Sequence, residues 1–391
     1  MIFKNARLIL SDRIEAGAHL RVADGKITDL GTEPFAVEAD EEVIDVSGNY
    51  LAPGFIDLHI HGALRRDAME ATPEAFETIC KFHAGGGTTS LALTTITAPL
   101  DDILRVLEAV KSFQKPSHHG ASVLGVHLEG PYFSAEKPGA HRADLIRNPE
   151  RHEYEKLLEH SEVITQMTLA PELPGALPLI ESLCAHGIRA SGGHSNAWDE
   201  DACAGFVHGM RQVTHTFNCM SSARRRGAYR VAGVLEFAMS EPEILCELIA
   251  DGRHVSPTLM RMLYHAKGED GIALVTDATA GAGLAEGEHF LLGELDCVVR
   301  DEVGLTSDGS TLAGSTSTMI RLVRNMVELA GVPLVAAVRM ATLNPATALG
   351  IHERKGRLRL GTDADLVVLS ADLDVLLTLV GGRMIYSSDA V

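Results

Sequence analysis

No stretch of this chain approaches the roughly 20 consecutive apolar residues that a membrane-spanning helix needs. The amino terminus, M-I-F-K-N-A-R-L-I-L, has too short an apolar run for a secretory signal. These two absences lead us to expect a cytoplasmic protein with no membrane partner. Cysteine is sparse: Cys80, Cys184, Cys203, Cys219, Cys246 and Cys297 are scattered, with no C-x-x-C pair among them. That spacing excludes a disulfide framework and a cysteine zinc site, and fits free thiols in a reducing compartment. Positive charge is also short, 34 Lys and Arg against 53 Asp and Glu, for a net charge of -19. Nonspecific phosphate binding needs a positive surface, so nucleic acid is excluded as a general partner. An anionic substrate must then be captured by local arginines.

What remains is the composition of an ordinary folded protein, 46% hydrophobic and 22% charged over 391 residues, long enough for one large barrel with a smaller companion. Residues 1–52 read as short strands: Ile2 to Leu10, Leu20 to Val22, Lys26 to Leu30 after an Asp24-Gly25 turn, and Val43 to Val46. Residues 346–391 carry a matching set at Gly356 to Leu360, Asp365 to Leu369 and Leu376 to Tyr386. Neither set makes a core alone, so the two ends are expected to pair into one small β-sandwich.

Residues 53–345 switch to apolar strand-like runs alternating with amphipathic helical segments, the pattern of parallel β/α units. Candidate strands are Phe55 to His59, Thr88 to Thr94, Val123 to Glu129, Ile164 to Leu169, Arg189 to Gly192, Gln212 to His215, Ile244 to Ile249 and Ile272 to Thr276. Eight such units predict an α/β fold, a TIM-like (β/α)8 barrel. Thr72-Pro73, Asn148-Pro149 and Ser256-Pro257 each place a capping side chain before a proline suited to a first helical turn. Gly283 to Gly314 fits the alternation poorly and reads as a β-hairpin excursion over the barrel mouth.

The chemistry-bearing residues fall at strand ends. In P-G-F-I-D-L-H-I-H-G, His59 and His61 stand two apart, so an extended strand aims both imidazoles to one side. G-V-H-L-E-G-P ends the third strand on Glu129, a carboxylate that is costly there unless paired or bound to a metal; His127 beside it reads as a packed neighbour. S-G-G-H-S and T-H-T-F-N put His194 and His215 at the ends of the fifth and sixth strands. Carboxyl ends of barrel strands share one face, so Glu129, His194 and His215 form a donor set suited to a catalytic divalent metal and its water. The eighth strand ends in V-T-D-A-T, and Asp277 there is placed to take a proton from that water and deliver it to a leaving group. His141 and His254 are donors able to hold a substrate, and Arg224-Arg225-Arg226 reads as either a solvated run or a phosphate clamp.

Taken in order, PGFIDLHIHG, HLEGPYFS, SGGHS, THTFN, IADGRHV, VTDAT, LAGSTSTM, MATLNPA and KGRLRLGTDADLVVL resemble the amidohydrolase superfamily, and within it the N-acetylglucosamine-6-phosphate deacetylases. The resemblance covers nearly the whole chain. It implies that Glu129, His194 and His215 bind the main metal, zinc foremost among iron, cobalt and manganese, and that Asp277 activates the water. It implies an optional second ion on His59 and His61, hence one or two ions per subunit. His141, Asn218, Cys219 and His254 become substrate contacts, and the chain a homodimer. Where the family has an Arg-Glu-Pro-Gly turn, this chain has R-R-R-G-A-Y-R; Arg226 is the choice for the phosphate, with Arg225 and Arg230 its rivals. Related N-acyl substrates are the alternative, namely N-acetylgalactosamine 6-phosphate, an unphosphorylated N-acetyl sugar or an N-acyl amino acid; a noncatalytic sugar-phosphate binder is the third reading.

Overall fold

A computed structural model describes residues 1–39, 41–114 and 120–388. Among the described residues, eight parallel strands form one sheet: Phe55–Ile60, Thr88–Thr94, Ser122–Glu129, Ile164–Leu169, Arg189–Gly192, Gln212–Val213, Leu245–Leu248 and Ile272–Leu274. Each pairs with its neighbour in that order. The first strand is buried along its whole length, as a parallel sheet with both faces covered requires.

The two end strands close the barrel through a seam that is half side chain. Asp57 accepts hydrogen bonds from the backbone N–H of Thr276 at 3.2 Å and from its hydroxyl at 2.6 Å. One residue further, the N–H of Asp277 donates to the carbonyl of His59 at 2.9 Å, and Ile60 bridges to Ala278. Burial pushes the Asp57 carboxyl up to about 7, against the Thr276 hydrogen bonds that favour its charge. The seam explains why the eighth strand stops at Leu274 instead of Thr276: past that point the chain turns to the first strand.

Helices begin where the sequence marks them in two of three places. Pro73–Ala84 starts after Thr72, whose hydroxyl accepts from Ala75 N–H at 3.3 Å, and Pro257–Lys267 starts after Ser256. The third begins at Arg151, two residues beyond the expected Pro149. Arg147 holds the intervening chain extended, because its guanidinium binds Glu153 at 2.6 Å and its N–H donates to the Pro131 carbonyl at 3.2 Å.

Strands from the two ends of the chain share one eight-stranded sheet. Leu366–Leu369 pairs antiparallel with Tyr50–Pro53, and Leu8, Leu20, Leu51, Leu366 and Leu377 pack in one cluster. The second strand runs Ile14–Ala23, longer than expected. Gly356 to Leu360 is not a strand: Gly356 takes φ +84°, and the Thr362 hydroxyl lies 3.2 Å from the Arg357 carbonyl and 2.7 Å from the Arg359 carbonyl, folding the segment into turns.

Residues 289–315 form an antiparallel sheet of His289–Leu292, Leu295–Arg300, Val303–Thr306 and Leu312–Ser315, larger than the expected hairpin. Ser315 N–H donates to the Asp277 carbonyl at 2.8 Å, which fastens this sheet beside the end of the eighth strand.

Candidate active site

A cavity of about 360 Å³ opens at the carboxyl ends of the barrel strands, lined by His61, Glu129, His141, His194, His215, Asn218, Cys219, His254 and Asp277. His59 lies just beneath it, fully buried. Of the residues chosen from the sequence as site residues, Arg226 does not border this cavity, and its rivals Arg225 and Arg230 do not either. Arg226 sits on an exposed hairpin, Arg224–Arg226 with Tyr229–Val231, and its guanidinium is 2.5 and 2.9 Å from Glu200 and over the Trp198 ring. Within one chain it therefore does not reach the cavity; the carboxylate and the indole hold it on the surface. No Arg or Lys lines the cavity among the described residues.

The donor atoms converge on Glu129. His215 Nε2 is 3.1 Å and His194 Nε2 3.4 Å from its Oε1, and the two imidazole nitrogens are 3.0 Å apart. On the other side His59 Nε2 is 3.4 Å from Oε1 and His61 Nε2 3.3 Å from Oε2, with 3.3 Å between the two nitrogens. Asp277 Oδ1 stands 3.2 Å from His61 Nε2 and 3.4 Å from His59 Nε2. Asp277 thus sits against the first histidine pair, and Glu129 lies between the two pairs.

Outer contacts decide which way the rings face. His194 Nδ1 donates to the Lys137 carbonyl at 2.9 Å, and His59 Nδ1 is 3.3 Å from Glu247 Oε2. Each proton held on Nδ1 leaves a lone pair on Nε2, so two nitrogen lone pairs and two carboxylates are aimed at one small volume. That arrangement repels itself unless a cation stands in the middle, and imidazole with carboxylate is the donor set of a borderline divalent metal. The residues present fit such an ion. Nδ1 of His61 and of His215 have no hydrogen-bond partner among the described residues.

The same demand for positive charge shows in the proton affinities. Burial opposes charge on Glu129 and Asp277, yet His59 and its neighbours hold both carboxyls well below the usual range. Burial likewise opposes a proton on His61, but Asp277 and Glu129 draw it up to about 9; for His194, Cys219 and Glu129 raise it to about 10. Protons on the imidazoles and a metal ion between them are two answers to one electrostatic requirement.

His141 comes as close to Glu129 as the other histidines, 3.3 Å from Oε2, and on distance alone would pass as a ligand. Its Nδ1, however, accepts from the backbone N–H of Thr97 at 3.1 Å, which puts the ring proton of the neutral imidazole on Nε2. Burial pushes its proton affinity down to about 4, so it presents a neutral N–H donor to the cavity. His254 differs: its Nδ1 is 2.6 Å from Asp251, which raises its affinity against the effect of burial.

Backbone strain gathers here. His194, His215, Cys219 and Asp277 take φ of 47°, 32°, 46° and 47°, values that side chains rarely adopt. His215 leaves the sixth strand by this turn, which is why the strand ends at Val213 and not at the histidine. His127 packs edge-on to His59 with ring centroids 4.5 Å apart and bonds Thr168 at 2.7 Å, outside the cavity lining.

Sequence reasoning missed Glu247 beneath His59, Thr97 behind His141, and Ser310 to Leu312 on the rim. For Glu247 a signal existed: L-C-E-L places a carboxylate inside an apolar strand, the same clue that marked Glu129. Thr97 acts through its backbone, which no side-chain pattern reveals.

Comparison with known proteins now decides the family, since the profile of the amidohydrolase family matches residues 50–385. The chain belongs to the amidohydrolases. Within them it belongs to the family of the N-acetylglucosamine-6-phosphate deacetylases. This amidohydrolase is 35% identical to the N-acetylglucosamine-6-phosphate deacetylase of Lysinibacillus sphaericus over 385 residues, 98% of this chain and 97% of the relative. It is also 35% identical to the N-acetylgalactosamine-6-phosphate deacetylase of Escherichia coli O157:H7 over 381 residues, 97% and 98% of the two chains. The crystal structure of the N-acetylglucosamine-6-phosphate deacetylase from Pasteurella multocida superposes with a TM-score of 0.91 at 33% identity, covering 99% of both chains.

Proposed function

We propose that this amidohydrolase hydrolyses N-acetylglucosamine 6-phosphate to acetate and glucosamine 6-phosphate, as a step in amino-sugar catabolism. The observation that carries the reading is one cavity in which a carboxylate, a neutral N–H donor and a cation-demanding donor cluster face one another. Glu129, His194 and His215 would hold the main divalent metal, zinc by donor set, and His59 with His61 would offer a second position beside them. When bound, the metal supplies Lewis acidity and a water whose pKa is lowered.

The chain's own groups do the rest. Asp277 takes the proton of the attacking water as its oxygen bonds to the acetyl carbon. His141 Nε2–H donates to the acetyl oxygen as that oxygen gains negative charge. Asp277 returns the proton to nitrogen as the C–N bond breaks and the amine departs. Asn218, Cys219 and His254 line the same space and hold the sugar phosphate.

Among the described residues no cation other than a histidine borders the cavity, so the phosphate needs a clamp from outside it. A homodimer that brings the Arg224–Arg226 hairpin to a neighbour's cavity fits its exposure, with Tyr229 78% exposed at its tip. Barrel residues 53–345 then form the catalytic domain, and residues 1–52 with 346–391 the β domain.

Acetate release measured on N-acetylglucosamine 6-phosphate, its galactosamine epimer and the unphosphorylated sugar tests the reading. The glucosamine phosphate should be the best substrate. Equal efficiency on the unphosphorylated sugar would remove the phosphate clamp. Preference for the galactosamine epimer, the substrate named for the E. coli relative, would reassign the sugar. Sedimentation with and without Arg226→Ala tests the hairpin: a monomer of full efficiency toward the phosphorylated sugar excludes it.

A further inference from the structure

Below the donor cluster lies a carboxylate that none of these steps uses. Glu247, in the seventh strand (Leu245–Leu248), is fully buried. Its Oε1 accepts from Gln166 Nε2 at 2.9 Å and from Gln212 Nε2 at 2.6 Å. Its Oε2 accepts from the backbone N–H of His215 and faces His59 Nδ1, each at 3.3 Å. Gln212 Oε1 in turn accepts from Arg189 Nε at 2.7 Å, so a line of hydrogen bonds runs from Arg189 up through the barrel interior to His59.

Each of these four neighbours donates, which fills the acceptor positions of the carboxylate. The His59 ring must then keep its proton on Nδ1 and turn its Nε2 lone pair to Glu129 and Asp277. Among the described residues His61 has no counterpart, since its Nδ1 is buried without a partner there. One ring of the first pair is thus oriented from beneath, and the other has polar contacts only on its Nε2 side, to Glu129 and Asp277.

We propose that Glu247 is a positioning residue for the first metal position: it fixes the tautomer and the facing of His59, and through His59 sets the affinity of the ion held there. The inference deepens the two-position reading of the site and rests on it.

Chelator competition with zinc as the probe, followed by elemental analysis, measures the affinity of each ion in the full chain. Wild type is expected to hold two ions and His61→Asn one. Glu247→Gln is expected to weaken the first ion about 10- to 100-fold, the range for groups that orient a ligand. Glu247→Asp, which keeps the charge but draws it back, is expected to lose less and to carry the test if Glu247→Gln does not fold. On the His61→Asn background either change should weaken the remaining ion less than it weakens the first, since Glu247 reaches His215 only at its backbone N–H. An unchanged first ion in the variants overturns the proposal, as does an equal loss on the His61→Asn background. A wild type holding one ion, lost only when His194 or His215 is replaced, overturns the two-position reading beneath it instead.

Discussion

His59 lies in the first barrel strand and His61 one residue past its end, two residues apart, whereas His194 and His215 follow two neighbouring strands and each turns through left-handed backbone. The first pair needs only the alternation of a strand to face one way. The second needs the strand order of the barrel, a tight exit from each strand, and roughly 1–3 kcal/mol of backbone strain per residue held in place by its surroundings. The first pair is therefore easy to build and easy to notice, and the second is where the fold invests its strain. We read that investment as the mark of the pair that chemistry depends on, although Asp277 stands against the other one.

The sharpest way to break this comparison is to remove each pair in turn. His194→Asn with His215→Asn should abolish acetate release, while His59→Asn with His61→Asn should lower the metal content and keep a measurable part of the turnover. A folded but inactive His59/His61 variant would make both positions obligatory. Asp277→Asn should lower turnover ~10²–10⁴-fold with the metal retained, the range for losing a general base. Near-normal turnover would take Asp277 out of the reaction. His141→Gln should cost about 10²–10³ in kcat, as for loss of one donor to a developing oxyanion, with less change in KM. A change confined to KM would make His141 a ground-state contact only.

The smallest effect lies behind the first pair, at His83, whose Nε2 is 3.2 Å from the Gly62 carbonyl. Burial lowers its proton affinity to about 4, from an ordinary 6.5, so the unfolded chain binds the proton more readily than the folded one. Its contribution is present in full above pH 6.5 and is lost as the pH falls toward 4, by up to ~3 kcal/mol. His83→Gln should flatten denaturant-measured stability across that window; an unaltered slope would mean that His83 does not carry the acid sensitivity.

Much of this is legible in the sequence. The eight barrel strands, the sheet shared by both ends, and Glu129, His194, His215 and Asp277 at strand ends follow from periodicity and from the rule that barrel strands point their carboxyl ends one way. Other features were hidden for physical reasons. The Gly356 segment reads as a strand by composition, but its fold is set by hydroxyl and carbonyl contacts among turn residues. Arg226 is the choice by its place in R-R-R-G-A-Y-R, where the resembled family has an Arg-Glu-Pro-Gly turn, and that place does not say which neighbour, here Glu200 and Trp198, takes it first. Thr97 contributes a main-chain N–H, a group that every residue but proline carries.

The closing seam also has a bearing on how the protein comes into being. Asp57 and Thr276 are 219 residues apart, so a ribosome working at roughly 5–20 residues per second makes the aspartate about ten to forty seconds before its partner. Through that interval the first strand has an open edge, and His59 and Asp277 cannot share a cavity. An amino-terminal fragment short of the eighth strand lacks Asp277 and is expected to release no acetate, so the onset of acetate release on a synthesising ribosome would time the moment the last strand docks.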